Sequence, residues 1–251
     1  MRETDLSHPI KSHLEQMGYR VHAEVKDCDI TAQLGNELVI VELKTSVNMT
    51  LLIQATARQK ITPLVYVAIP EPASQKGSHW KGILNVLSRL KLGLLLVNFN
   101  PPGITVKEAL SPPGFIGDSA DSVAKVGVKR QSNRKSSKKR DAILKELEGR
   151  SVDLNEAGSH RRQLVTAYRE NAILIACCLN IRGSASTAEL RKLSTGKKTS
   201  TILAKNYYGW FERVSRGTYQ LTDKGRSSLN DYPQLRALSE NHIHNINIQL
   251  K

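Results

Sequence analysis

Two apolar segments on either side of Gly35-Asn36 constrain the fold of this chain more than any other feature of its sequence. Residues 29–34 and 37–43 each have the length and apolar content of a β-strand. A two-residue loop that contains glycine is typical of a tight β-hairpin. The sequence therefore predicts a hairpin in which Leu34 pairs with Glu37.

Three charged residues of this hairpin are predicted to lie together. Counting outward from the loop places Asp29 opposite Glu42, and Lys44 shares the side of Glu42 because strand side chains alternate. Two opposed carboxylates repel one another and destabilise a sheet unless a cation offsets their charge. Mg2+ takes oxygen ligands, often one or two carboxylates and a substrate phosphate. The pattern favours Mg2+, with Mn2+ as an alternative, and hydrolysis of a phosphodiester.

The pattern of apolar residues around the hairpin predicts an α/β domain. In chain order, the expected elements are αβββαβαβ, and the domain is expected to span residues 1–109. The predicted elements outside the hairpin are a helix at 3–18, strands at 19–25, 64–69 and 92–99, and helices at 50–60 and 80–90.

Charge and composition narrow the class of partner and the cellular location that the sequence predicts. The net charge is +14, of which residues 1–100 carry +2 and residues 101–251 carry +12, and this balance favours nucleic acid. The best apolar run, Leu92 to Val97, is too short to span a membrane. The three cysteines form no CxxC pair, and the first residues lack an apolar signal region, so a cytoplasmic protein is predicted.

The second half of the chain predicts a winged helix-turn-helix domain at 161–230. It would follow a basic linker at 110–160, whose residues 129–140 include seven basic residues and no acid, and precede a C-terminal tail at 231–251. The expected order is three helices and then a hairpin, with helices at 161–180, 184–193 and 199–211 and two strands within 212–222.

DNA is the favoured partner of this second domain, because residues 151–251 carry a net charge of +7. The third helix and the residues before it would enter the major groove, and the wing would contact the backbone or minor groove. The alternative is a winged helix that mediates protein–protein contact or dimerisation. The predicted DNA-binding residues are Lys197, Lys198, Thr199, Ser200, Thr201 and Lys205, with Arg213 and Arg216 in the wing.

The chain resembles the PD-(D/E)XK nuclease superfamily. Glu42 lies thirteen positions after Asp29 and begins a Glu-x-Lys motif on an apolar strand, and the αβββαβ order around it is similar to the core of that superfamily. More closely, the chain resembles a bacterial PD-(D/E)XK-like family with a C-terminal winged-helix domain. The similar segments are ETDL at 3–6, GYRVHAEVKDCDI at 18–30, VIVELK at 39–44, LLIQATARQ at 51–59, LVTAYRENA at 164–172 and YYGWFERVSRGTYQLT at 207–222.

The resemblance implies a restriction-endonuclease-like fold and a metal site. Asp29, Glu42 and the backbone carbonyl of Leu43 would hold the metal, and Lys44 would orient or deprotonate the attacking water. Cys28 replaces the proline of the family name, a position that does not itself ligate the metal.

Three further residues are assigned to the site on weaker grounds. Glu3 corresponds to an acidic residue on the first helix that supports the site in many of these nucleases. Gln54 corresponds to a glutamine of the following helix that often faces the site. Arg58 lies one turn after Gln54 on the same helix face and is predicted to hold a phosphate.

The favoured function is a Mg2+-dependent DNA endonuclease directed by its own winged helix. The alternative is a catalytically silent DNA-binding protein or transcriptional regulator on a nuclease fold. A membrane-surface protein that binds through residues 129–140 is least favoured, because no amphipathic helix is predicted there. A homodimer is expected on the ground that cutting both DNA strands usually needs two active sites.

Overall fold

The structure is a computed structural model that describes residues 1–113, 134–150, 155, 157 and 164–249, and it divides into a first unit, Met1–Leu164, and a second unit, Val165–Lys251. The helices of the first unit are α1 (Glu3–Gln16), α2 (Met49–Arg58), α3 (Ser78–Arg89) and α4 (Arg134–Gly149). Its strands are β1 (Arg20–Val25), β2 (Cys28–Leu34), β3 (Glu37–Leu43), β4 (Val65–Pro70), β5 (Gly93–Asn98) and β6 (Thr105–Leu110).

The six strands form one mixed sheet in the order β1-β2-β3-β4-β5-β6. β3, β4 and β5 are parallel, and α2 and α3 make the two crossovers that parallel neighbours require. The other neighbouring strands are antiparallel. The prediction of an α/β domain is confirmed.

The hairpin of β2 and β3 has the predicted register. Leu34 pairs with Glu37, and the pairing continues to Ile30 and Val41. Gly35 has a φ of 56°, a conformation that glycine adopts without the penalty that a Cβ atom would bring. The loop therefore fixes which side chains of β2 and β3 share a face of the sheet.

Helices cover both faces of the sheet. Leu6, Ile10 and Leu14 of α1, spaced at helical intervals, are buried against one face together with Val39 and Val41 of β3. The opposite face is covered by α2 and α3, whose buried residues include Leu51, Ala55 and Leu87. The central strands are thus buried on both sides, which accounts for their nearly continuous apolar sequences.

Two elements of the first unit were not predicted. β6 is an edge strand with Lys107 and Glu108 at its centre, and all of its residues are exposed or half-buried, so it lacks a clear alternation of apolar residues. α4 lies in the segment predicted to be a basic linker. Of its apolar residues only Ile143 and Leu147, one turn apart, are fully buried, and its many lysines and arginines indicated a solvated segment.

Arg150, which directly follows α4, bonds to an irregular part of β1. Glu24 has a φ of 51°, and the strand changes face there: Ala23 is buried with α1, whereas Val25 is buried with Ile143 of α4. Arg150, which is buried, donates hydrogen bonds to the carbonyls of Ala23 (2.9 Å) and Glu24 (3.0 Å). Its guanidinium therefore holds the backbone of β1 at the point where the strand changes face.

We expect Arg150→Met to lower the free energy of unfolding by about 3 kcal/mol, because it removes the hydrogen bonds that Arg150 donates to two carbonyls and to the half-buried Glu146. Urea denaturation of the metal-free protein measures this change. Arg89→Met, at an exposed arginine of α3, is the matched control and should change stability by less than about 0.5 kcal/mol. Equal effects of the two substitutions would contradict the role given to Arg150.

The second unit contains α5 (Ala167–Arg182), β7 (Ser184–Ser186), α6 (Thr187–Lys192), α7 (Thr199–Lys205), β8 (Phe211–Ser215), β9 (Thr218–Leu221), α8 (Asp223–Ser228), a 3-10 turn (Leu229–Asp231) and α9 (Pro233–Gln249). Its strands form a sheet in the order β7-β9-β8, and Arg216-Gly217 is the loop between β8 and β9. Among the described residues of both units, no helix combines the length and apolar composition needed to cross a membrane.

The structure corrects several predicted boundaries here. The first residues of the helix predicted at 184–193 form the strand β7. The helix predicted at 199–211 ends at Lys205, because Asn206 adopts a left-handed conformation and Phe211 already belongs to β8. The segment predicted to be a tail, 231–251, is mostly the helix α9, which packs on α5 and buries Leu235 and Ile243. This helix was not predicted, because its few apolar residues lie in a mostly polar sequence.

Candidate active site

The β2–β3 hairpin places Asp29 and Glu42 beside one another. The paired register ends at Ile30 and Val41, and one further step in the same register would set the two carboxylates opposite each other. The charge of Asp29 acts on Glu42, which agrees with this placement. Asp29 Oδ2 accepts a hydrogen bond from the backbone N–H of Leu43 at 2.8 Å. This bond holds the Asp29 side chain against the end of β3, next to the Glu-x-Lys motif.

Glu42 is a buried carboxylate with one partnered and one unpartnered oxygen. Its exposed fraction is 1%, and its Oε1 accepts a hydrogen bond from Arg58 Nε at 2.7 Å. Its Oε2 is buried and has no hydrogen-bond partner. Burial, and next the charge of Asp29, raise the pKa of Glu42 to about 7, while Arg58 acts in the opposite direction. Burial also raises the pKa of Asp29, although the Leu43 N–H lowers it.

Lys44 follows β3 directly and is held by α1. Its Nζ lies 2.7 Å from Oε2 of Glu3, and both side chains are largely buried. Glu3 is the first residue of α1, whose apolar face packs on the sheet, so the helix carries this carboxylate to the end of the strand. Glu3 therefore contacts the site through Lys44.

α2 brings two more predicted residues to the same place. Its start is fixed by Asn48, whose side-chain oxygen accepts a hydrogen bond from the N–H of Leu51 at 2.9 Å. Arg58 faces Glu42, and Gln54 lies one turn earlier on the same face of the helix. The Oε1 atom of Gln54 is buried without a hydrogen-bond partner.

Arg58 differs from its predicted role. It was expected to hold a substrate phosphate, but its guanidinium pairs with Glu42 and also donates to the carbonyl of Asp27. Asp27 was not predicted to belong to the site. The helical spacing from Gln54 was the available signal that Arg58 faces this place, whereas nothing local in the sequence identified its partner.

The donor atoms suit a hard divalent cation. Glu42 and Gln54 each have a buried oxygen without a hydrogen-bond partner, and Asp29 adds a second carboxylate beside Glu42. Within the described part of the chain, no group of three or more His, Cys, Asp or Glu side chains is arranged to hold a metal. Mg2+ does not need such a group, since one or two carboxylates, water and a substrate phosphate complete its coordination.

An open cleft adjoins this site. It starts at Thr45 and Ser46, the residues directly after Lys44, and runs between the end of β4 and the start of α3. Glu71, Lys76 and His79 are among the residues that line it.

The second unit exposes most of the predicted DNA-binding residues. Those with exposed side chains are Lys197, Lys198, Thr201, Lys205, Arg213 and Arg216. Lys197 and Lys198 immediately precede α7, whereas Lys205 lies at its other end and contacts the ring of Tyr207. Arg191 of α6 was not predicted, yet it is exposed and donates to the hydroxyl of the half-buried Ser200 at 2.7 Å.

Thr199 does not fit its predicted role. Its side chain is buried, and its hydroxyl bonds to the carbonyl of Gly196 and to the hydroxyl of Thr195, both at 2.7 Å. These bonds hold the turn before α7. The prediction counted Thr199 among hydroxyls at a helix start, and the sequence does not distinguish a hydroxyl that faces solvent from one that closes a turn.

Comparison with known proteins supports the superfamily. The model of a family described as "Putative PD-(D/E)XK phosphodiesterase (DUF2161)" matches residues 117–228. The match supports phosphodiester hydrolysis as the activity and nucleic acid as the substrate class, and such nucleases usually use divalent metal ions. It covers less than half of the chain and begins after β6, so Asp29, Glu42 and Lys44 lie outside it. No curated protein and no solved structure matches the chain.

We expect Glu42→Gln to stabilise the metal-free protein at pH 8. The carboxyl has a reference pKa of 4.5 and a folded-state pKa of about 7, so its contribution to stability is lost as the pH rises through this interval. At pH 8 ionised Glu42 costs up to about 3 kcal/mol, which the neutral amide avoids. Urea denaturation at pH 8 and at pH 4, with a chelator present, measures the difference.

The matched control is Glu15→Gln, at an exposed glutamate of α1. It should leave stability nearly unchanged at both pH values. If Glu42→Gln also leaves it unchanged at pH 8, or if the gain is as large at pH 4, then the carboxylate is not held in a buried, like-charged pair with Asp29.

Proposed function

We propose that this chain is a metal-dependent deoxyribonuclease that cleaves DNA as an endonuclease. The observation that carries the proposal is the buried, unpartnered oxygen of Glu42 beside Asp29 and Lys44. A buried carboxylate oxygen without a hydrogen-bond donor lowers the stability of the fold, and a bound cation would offset this cost. The comparison with the PD-(D/E)XK family model supports the same chemistry.

Each residue has a distinct task in this proposal. Asp29, Glu42, the carbonyl of Leu43 and the side-chain oxygen of Gln54 would hold Mg2+ or Mn2+. The bound ion would supply charge stabilisation at the phosphate and a more acidic water. Lys44 orients the attacking water and offsets negative charge that develops on the phosphate oxygens, and Glu3 fixes the Lys44 side chain through their 2.7 Å contact.

We infer that the second unit is a winged-helix domain that binds DNA. The order α5, β7, α6, α7, β8 and β9, with a three-stranded sheet and a two-residue hairpin loop, supports this fold. Exposed Lys197 and Lys198 before α7 and exposed Arg216 in the hairpin loop supply charges of the kind that contact phosphates. The unit would bring DNA to the enzyme.

A second candidate is a DNA-binding protein whose nuclease site is silent. Arg58 already offsets the charge of Glu42, and Lys44 already pairs with Glu3. Internal ion pairs of this kind stabilise buried carboxylates without any metal. Cleavage and binding assays distinguish the two candidates.

Asp29→Asn and Lys44→Met should each reduce DNA cleavage in Mg2+ or Mn2+ by about 100-fold or more, because one removes a metal ligand and the other the charge beside the phosphate. Plasmid nicking and cleavage of labelled single-stranded DNA, with EDTA as the blank, measure the rates. Lys81→Met, at an exposed lysine of α3, is the control and should retain activity.

Cleavage that persists at the wild-type rate in Asp29→Asn would contradict the enzymatic proposal. Wild-type protein that binds DNA and does not cut it in either metal would favour the silent DNA-binding protein.

The double substitution Lys197→Gln with Lys198→Gln should weaken DNA binding and lower the slope of log K against log salt by up to about 2, since each lost phosphate contact removes about one released counterion. Fluorescence anisotropy with a labelled duplex at several salt concentrations measures this slope. The control is Lys224→Gln with Arg226→Gln, which removes the same charge from exposed positions of α8. Equal losses in both double variants would show only an effect of net charge.

A further inference from the structure

Arg58 is fixed at two points next to the proposed metal ligands. Its Nε donates to Oε1 of Glu42 at 2.7 Å, and its Nη2 donates to the carbonyl of Asp27 in the β1–β2 turn. Its side chain is 17% exposed, against 1% for Glu42. The guanidinium therefore places a positive charge at a fixed position inside the site.

Arg58 and a cation do not require the same oxygen. Arg58 uses Oε1 of Glu42, whereas Oε2 is buried and has no hydrogen-bond partner. A cation bound through Oε2 would thus have the guanidinium of Arg58 on the other side of the same carboxylate. Two positive charges at such a separation repel one another, and more strongly in a partly buried site than in water.

The charge balance of the site depends on whether a phosphate is present. Lys44 is paired with Glu3, so Asp29 and Glu42 share Arg58 as the remaining nearby positive charge. Ionised, these three groups sum to −1. A divalent cation changes the sum to +1, and the −1 charge of a phosphodiester returns it to zero. Without Arg58 the two carboxylates would present −2 to the cation, so Arg58 weakens the attraction in the free protein, and the phosphate neutralises the positive charge that remains after the cation binds.

We propose that Arg58 weakens metal binding in the absence of nucleic acid and thereby makes the divalent cation and the DNA phosphate bind cooperatively. This inference rests on the proposed function, since it assumes the cation site at Asp29 and Glu42. Arg58 is a positioning and regulatory residue in this account. By linkage, it also makes DNA bind more tightly when metal is present.

The test is a Mn2+ titration of the full chain, read from the EPR signal of free Mn2+, with and without a duplex in which phosphorothioates block cleavage. Arg58→Gln should raise the Mn2+ affinity of the DNA-free protein about tenfold. The duplex should raise the Mn2+ affinity of the wild type at least about fivefold and that of Arg58→Gln less than about twofold.

Two further variants separate charge from folding. Arg58→Lys keeps the positive charge and should retain the low Mn2+ affinity and the cooperativity of the wild type. Lys81→Gln removes an exposed charge from α3 in the same unit and should leave both unchanged. Tight Mn2+ binding by Arg58→Lys, as in Arg58→Gln, would show that the charge is not the cause and would overturn the inference.

The outcomes also separate this inference from the proposed function. If Asp29→Asn binds Mn2+ as the wild type does, or if the wild type does not bind Mn2+, then the proposed metal site is wrong. If such binding exists but Arg58→Gln leaves the Mn2+ affinity unchanged or lowers it, then only the role of Arg58 is wrong.

Discussion

The opposition of Asp29 and Glu42 on neighbouring strands is the constraint on which the rest of the first unit depends. Opposed residues of antiparallel strands have Cβ atoms about 5 Å apart, so two carboxylates there repel one another. A slip of one residue would turn one of them to the other face, but it would also remove Leu38 and Ile40 from the apolar cluster that they form with Ile143 and Leu147. The apolar core thus holds the charged pair together.

The neighbouring residues partly offset this repulsion. The N–H of Leu43 bonds to Asp29, and Arg58 bonds to Glu42, yet Oε2 of Glu42 has no hydrogen-bond partner and the pKa of Glu42 stays at about 7. A site built only for stability would not keep a buried carboxylate in this condition. The incomplete compensation is the physical reason to assign a cation to this place.

Local features of the sequence predicted much of the first unit. Gly35-Asn36 determined the register of the hairpin, and Arg58, which helical spacing placed on the face of Gln54, contacts Glu42. Apart from the assignment of Glu3, which the resemblance implied, contacts between residues distant in the chain were not predicted. Arg150 bonds to the carbonyl of Ala23, 127 positions earlier in the chain, and no local pattern encodes such a partner.

The family comparison and the site geometry support phosphodiester hydrolysis from different parts of the chain. The family model matches residues 117–228, which include α4, Arg150 and most of the second unit, whereas the candidate ligands lie between Glu3 and Arg58. Arg150 is one link between the two, since it lies in the matched segment and bonds to β1 beside β2. Ile143 and Leu147 of the matched segment also pack with Cys28 and Ile40.

The most direct measurement of the central claim is an anomalous difference map from crystals grown with Mn2+ and an uncleavable DNA duplex. The account predicts a Mn2+ peak about 2.2 Å from carboxylate oxygens of both Asp29 and Glu42. A Mn2+ peak that neither Asp29 nor Glu42 coordinates, or no peak at a saturating Mn2+ concentration, would contradict it.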